Sequence, residues 1–128
     1  MKLNIIDIFS GCGGFAEGFH QENYKTVASV DFHKASCDTM IKRLVRHGTN
    51  KNEAQKIVIQ GDITEGTTLK KLQNLNIKEI DVLTAGVPCQ TFSSVGRAQD
   101  RHSMKKDERN WLYLHYIKYL SVLKPKVT

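Results

Sequence analysis

The sequence predicts an α/β fold, a parallel sheet with helices on both faces. Short Ile- and Val-rich runs recur at residues 3–9, 24–30, 56–60 and 80–85, each ending on Gly, Asp or Pro-Cys. Between most of them lie segments with apolar residues at helical spacing. Strands that alternate with helices imply right-handed crossovers, which set the strands parallel and cover the sheet on both sides.

The first run ends abruptly at Ser10-Gly11-Cys12-Gly13-Gly14, so a buried strand leads into a tight turn and a helix over 15–21. A second strand closes on Asp31. Residues 34–47 place Ala35, Met40, Ile41, Leu44 and Val45 on one stripe with Lys42, Arg43 and Arg46 elsewhere, and Gly48 stops that helix. Residues 49–55 are polar and read as a loop. The third strand, 56–60, runs into Gly61-Asp62-Ile63, and Leu69, Leu72 and Leu75 mark a helix over 68–75. The fourth ends at Gly86-Val87-Pro88-Cys89-Gln90. A polar stretch, 93–108, carries Arg97, Arg101, Lys105 and Lys106 and has the length of a functional lid or a disordered segment. The last helix, about 110–123, aligns Leu112, Tyr113, Tyr116, Ile117, Leu120 and Leu123, and Pro125 ends it. Val127 and Thr128 begin a further segment.

Composition bounds the function. With 128 residues, 40% hydrophobic and 25% charged, the chain reads as about one globular domain able to build a core without disulfides. No apolar run is long enough to span a bilayer, so a soluble, cytoplasmic protein is expected. Nineteen Lys and Arg against thirteen Asp and Glu give a net charge of +6, which suits a polyanionic partner and equally a solvated basic surface. Cys12, Cys37 and Cys89 lack CxxC spacing, which argues against a zinc cluster or a disulfide framework and for a reducing compartment. The five histidines have no ligand spacing either, so no metal is expected.

In an open parallel sheet, ligands bind beyond the carboxyl ends of the strands. Four strand ends carry chemistry there: Ser10 to Gly14, Asp31-Phe32, Asp62-Ile63 and Pro88-Cys89-Gln90. Glycines let a ligand approach the backbone and the next helix N-terminus, whose amides favour an anion. Asp31, twenty residues after Gly11, suits ribose hydroxyls; Asp62 suits an exocyclic amine; Phe32 and Ile63 can sandwich a flat ring. These residues describe a site for a nucleoside-containing cofactor. The spacing Gly11-x-Gly13-x-x-Ala16 also satisfies the dinucleotide fingerprint, which leaves NAD open. Plain turns and helix caps are the structural alternative for the glycines and for Asp31 and Asp62. Cys12 and Cys37 read as packing residues. Cys89 stands past a strand end, behind a proline and ahead of a cation-rich stretch, where a thiolate is favoured.

Asp7-Ile8-Phe9-Ser10-Gly11-Cys12-Gly13-Gly14-Phe15 with Gly18-Phe19, followed by Gly86-Val87-Pro88-Cys89-Gln90-Thr91-Phe92-Ser93, resembles the first and fourth motifs of cytosine-5 DNA methyltransferases. Asp31-Phe32 and Gly61-Asp62-Ile63 resemble motifs between them. Asp107-Glu108-Arg109-Asn110-Trp111-Leu112 is similar to the fifth, D-S-R-G-T-L, with Ser and Gly-Thr replaced. The resemblance covers essentially the whole chain. It implies a Rossmann-like S-adenosylmethionine-dependent methyltransferase fold, cut after about four strands. It also implies S-adenosylmethionine on Phe9, Ser10, Gly11, Gly13, Gly14, Asp31, Phe32, Asp62, Ile63 and Pro88, with Cys89 as the nucleophile toward a flipped cytosine. Gln90, Ser93, Arg97, Arg101 and Arg109 would meet double-stranded DNA, although some members of the family act on tRNA.

The family's E-N-V glutamate, its paired arginines and its target recognition region are not among these residues, so 1–128 reads as part of a catalytic domain. In the family's sheet the fourth strand lies between the first and the fifth. The resemblance thus implies either a fragment or one half of a split enzyme, inactive until a complementary polypeptide supplies the rest. A noncatalytic remnant that binds cofactor or nucleic acid is the reading from a different class.

Overall fold

The computed structural model describes residues 2–86 and 108–128, with side chains in the second stretch from 112 onward. Four strands, β1 (Leu3–Ile8), β2 (Tyr24–Asp31), β3 (Val58–Gln60) and β4 (Val82–Ala85), form one sheet in the order β3-β2-β1-β4, every pair parallel. The helices are α1 (Gly14–Gln21), α2 (Lys34–Arg46), α3 (Lys51–Ile57), α4 (Gly66–Gln73) and α5 (Glu108–Leu123).

The chain walks outward from β1 to β3, then returns across the sheet to β4 on the other side of β1. That reversal makes the carboxyl ends flanking β1 the topological switch point, where an open parallel sheet leaves a crevice. Beyond β4, Val127 pairs in parallel with Val82, its N–H on the Asp81 carbonyl and its carbonyl on the Leu83 N–H, both at 3.0 Å. β4 therefore stands between β1 and the start of a further strand, as the resemblance implies.

The two faces are covered separately. Ile6, Ile8, Ala28, Val30, Ile59 and Leu83 pack with Leu69 and Leu72 of α4 and Tyr119 of α5. On the other face Val58 packs with Ala16 of α1, Cys37, Met40 and Leu44 of α2, and Ala54 and Ile57 of α3. A bulge at Val27 sets the register: Ile5 pairs with Thr26 but Ile6 with Ala28, so from there Ser29 and Asp31 share the face of Asp7.

Three expectations change. Residues 49–55 are not all loop, because Asn50 caps α3 by accepting the Asn52 N–H at 2.8 Å, and burial of Ala54 and Ile57 holds the helix on α2. Its last turn takes Lys56 and Ile57 from the expected strand, leaving β3 three residues. In α5 the packed stripe differs: Tyr119 is fully buried, whereas Tyr113 and Ile117 are exposed. Apolar residues surround this helix, so periodicity alone could not orient it. Gly48 does end α2, in a left-handed conformation with φ +101° that lets Gly48 and Thr49 bond back to Val45 and Leu44.

Candidate functional site

The end of β1 is bent into an unusual turn. Phe9, Gly11 and Gly13 have φ of +57°, +55° and +94°, and Phe9 is a bulky residue in a region such residues rarely enter. Three hydrogen bonds hold the turn. The Ser10 N–H donates to the Val30 carbonyl at 3.2 Å, the Gly13 N–H to the Ser10 carbonyl at 2.9 Å, and the Gly11 N–H to Asp31 Oδ2 at 2.8 Å. Gly13 is required by space as well as by its φ: a Cβ there would lie 2.7 Å from Met40 Sδ.

Asp31 ends β2 almost fully buried, and its second oxygen accepts the His33 N–H at 2.9 Å. Both carboxylate oxygens thus organise backbone, one across to the glycine turn and one along its own chain. Asp62 forms a local turn instead. Its Oδ1 accepts from the Thr64 N–H at 2.9 Å and the Thr64 hydroxyl at 2.7 Å, while Glu65 takes the N-cap position of α4. The Thr68 hydroxyl donates to the Asp62 carbonyl at 2.7 Å, and only glycine fits at 61, where a Cβ would meet Thr68 Oγ1 at 2.5 Å.

Phe9, Asp31, Phe32, Asp62 and Ile63 line one cleft of about 420 Å³ at the carboxyl edge, together with Ile8, Val30, His33, Gly61, Gly86 and Leu112. Phe32 is 61% exposed, a large aromatic held open to solvent with the His33 ring edge-on beside it, while Ile63 in the same lining belongs to the core. A flat-ringed ligand would bury that ring, and the carboxylates supply acceptors at the rim. Ser10, Gly11, Gly13 and Gly14 stand behind the cleft as its supporting turn rather than in its lining. His33 and Leu112 were not singled out by sequence. Leu112 carried a packing signal and ended the segment similar to the fifth motif, but its place at the cleft depends on how α5 crosses the sheet.

Pro88, Cys89, Gln90, Ser93, Arg97 and Arg101 lie outside the described residues. Arg109 falls in the first turn of α5, and its side chain lies outside them too. Cys37 packs as expected, its buried thiol pushed up in pKa by that burial, whereas Cys12, expected to pack, is exposed on the turn.

Beneath the turn, Asp7 of β1 is fully buried and accepts one hydrogen bond, from the Thr84 hydroxyl at 3.1 Å. Its Oδ2 and the hydroxyls of Ser10 and Ser29 have no partner among the described residues. Burial pushes the Asp7 carboxyl up to about 6, against the pull of Thr84 and helped by the charge of Asp31. Among the described residues no group of three or more His, Cys, Asp or Glu could hold a metal ion, and no helix is long and apolar enough to cross a membrane.

Comparison with known proteins gives the family and the fold. The type II methyltransferase M1.HphI of Haemophilus parahaemolyticus is 31% identical over 98% of this chain and 31% of its own length. M.AquIA of Picosynechococcus is 35% identical over 98% of this chain and 46% of its own. DNA (cytosine-5)-methyltransferase 1 of the rat is 30% identical over 98% of this chain and 8% of its own. A solved prophage-encoded protein of E. coli, assigned as a DNA modification methyltransferase, superposes with a TM-score of 0.65 at 26% identity, over 97% of this chain and 30% of that one. The chain therefore spans less than half the length of these relatives. The family model for C-5 cytosine-specific DNA methylases matches residues 3–128, and the chain belongs to that family.

Proposed function

We propose that this chain is the cofactor-binding, nucleophile-bearing part of a DNA (cytosine-5-)-methyltransferase. The observation that carries the reading is the convergence of Phe9, Asp31, Phe32, Asp62 and Ile63 on one cleft, in a chain of this family. That cleft fits S-adenosylmethionine: an exposed aromatic face for the adenine and carboxylate acceptors for the ribose hydroxyls and the exocyclic amine. Bound there, S-adenosylmethionine supplies an electrophilic methyl on its sulfonium.

The chain's own residues do the rest. Phe32 and Ile63 orient the adenine ring, Asp62 accepts from its amine, and Asp31 turns lone pairs unused by the backbone toward the ribose. Phe9, Ser10, Gly11, Gly13 and Gly14, with Pro88 of the next strand end, shape the methionine side, where the first amides of α1 favour a carboxylate. The Cys89 thiolate adds to C6 of a flipped cytosine, which makes C5 an enamine carbon able to take a methyl. Loss of the C5 proton then expels Cys89. Gln90, Ser93, Arg97, Arg101 and Arg109 meet double-stranded DNA, the cations at its phosphates.

The acid for cytosine N3 and the region that reads the target come from sequence outside these 128 residues, in the same chain or in a complementary polypeptide. The setting is the reducing cytoplasm, in bacteria as part of restriction-modification. Transfer of labelled methyl from S-adenosylmethionine to double-stranded DNA, measured with the completing sequence present, tests the reading. The Cys89→Ser variant is expected to lose transfer while keeping affinity for S-adenosylhomocysteine. Transfer undiminished by that change, transfer to tRNA alone, or calorimetric binding of NAD in place of S-adenosylhomocysteine would overturn it.

A further inference from the structure

The turn behind the cleft is gripped from both sides, and the second grip belongs to a residue outside every motif discussed so far. Arg43, on α2, donates from Nε to the Cys12 carbonyl at 3.1 Å and from Nη1 to Glu17 Oε2 of α1 at 3.0 Å. Since the Gly13 N–H donates to the Ser10 carbonyl, the Cys12–Gly13 peptide plane is fixed at both ends, its C=O by Arg43 and its N–H within the turn. Gly13 packs directly beneath the same side chain, where a Cβ would stand 3.2 Å from Arg43 Nε. Arg43 does not line the cleft; it lines a separate hollow with His20 and His47 at the opposite side of α1 and α2.

We propose that Arg43 is a positioning residue for the cofactor turn, holding the Cys12–Gly13 peptide plane from the side away from the cleft. The inference deepens the cofactor reading above and rests on it for its effect on binding. A turn with three left-handed residues is poorly populated unless its surroundings determine it, and a planar guanidinium can fix a carbonyl and a neighbouring carboxylate at once. Asp31 secures the Gly11 amide on the cleft side, and Arg43 secures the Cys12–Gly13 peptide, two further along, from behind. With either grip released, the turn samples conformations that no longer fit the ligand, and affinity falls although no ligand contact has been removed.

Two substitutions separate positioning from helix-to-helix bracing. Arg43→Met and Glu17→Gln both break the Arg43–Glu17 ion pair, but only the first frees the Cys12 carbonyl. In calorimetry of S-adenosylhomocysteine with the whole protein, Arg43→Met is expected to weaken binding about tenfold and Glu17→Gln much less, with Arg43→Lys between them because it keeps a donor for the carbonyl. Amide hydrogen exchange without ligand reads the turn itself: the Gly13 N–H should exchange about tenfold faster in Arg43→Met than in Glu17→Gln. Equal exchange and equal affinity in the Met and Gln variants would overturn the positioning role. A wild-type protein that ignores S-adenosylhomocysteine yet shows the exchange contrast would overturn the cofactor reading and leave Arg43's grip on the turn established. Were Arg43→Met not to fold, Arg43→Lys against Glu17→Gln carries the comparison in the same order, with a smaller contrast because lysine keeps one donor for the carbonyl.

Discussion

Two neighbouring rows cross this sheet one residue apart and face opposite ways. Ile59, Val30, Ile8 and Ala85 are paired side by side across the four strands on the α4 and α5 face, an unbroken apolar row. Val58, Ser29, Asp7 and Thr84 are paired in the same manner on the α1 and α2 face, and three of the four are polar. The first row stabilises by area alone, since burial of apolar surface is non-directional. The second lies beneath the glycine turn, where direction matters. There the core gives up hydrophobic surface for polar groups, of which Asp7 and Thr84 hydrogen-bond to each other, and the turn above is held by Asp31 at the Gly11 N–H and by Arg43 at the Cys12 carbonyl. The apolar face supplies buried area and, through Ile8 and Val30, part of the cleft lining, whereas the polar row lies beneath the turn beside that cleft.

The largest effect expected from this contrast falls on the apolar face. Leu83→Ala removes a fully buried side chain from the centre of that core and should cost about 3 to 4 kcal/mol in urea denaturation. A cost below 1 kcal/mol would mean that this face is not the main source of stability.

Gly13→Ala attacks the other face at its most constrained point. A left-handed φ and a clash with Met40 should cost about 2 kcal/mol and displace the turn, so affinity for S-adenosylhomocysteine falls further than stability alone accounts for. Unchanged binding would separate the turn from the site.

Asp7 sharpens the comparison through pH. Its folded pKa is raised from 3.8 to about 6, so between those values the folded chain holds a proton that the unfolded chain has released. Its contribution to stability is fully present below about pH 4, falls as pH rises through 6, and is level above that. Asp7→Asn should abolish this slope and raise stability at pH 7 by about 2 kcal/mol. Denaturation curves from pH 4 to 7 that keep the wild-type slope in the variant would show that the buried row is not where the strain resides.

The smallest effect is expected at Phe32, which is mostly exposed. Phe32→Ala should leave thermal stability unchanged and weaken S-adenosylhomocysteine by up to about tenfold, the value of one aromatic stacking partner. A loss of stability in place of affinity would make Phe32 a packing residue.

Local patterns in the chain were enough to place the strands, most helices and, among the described residues, three of the four strand ends singled out for chemistry. Alternation of short apolar runs with helical stripes, and glycine or aspartate at each strand end, depend on neighbours a few residues apart. The same patterns brought Asp31, Phe32, Asp62 and Ile63 to one edge, because strands of a parallel sheet all end there, and the family resemblance added Phe9 to the cleft they line. Tertiary structure alone decided the rest. Tyr119 rather than Tyr113 is buried because helix orientation follows the partner surface when apolar residues encircle a helix. α3 forms because Ala54 and Ile57 meet α2. Asp31 is bound to the turn, and Arg43 to a carbonyl 31 residues away, through contacts that exist only once β1, β2 and α2 have come together.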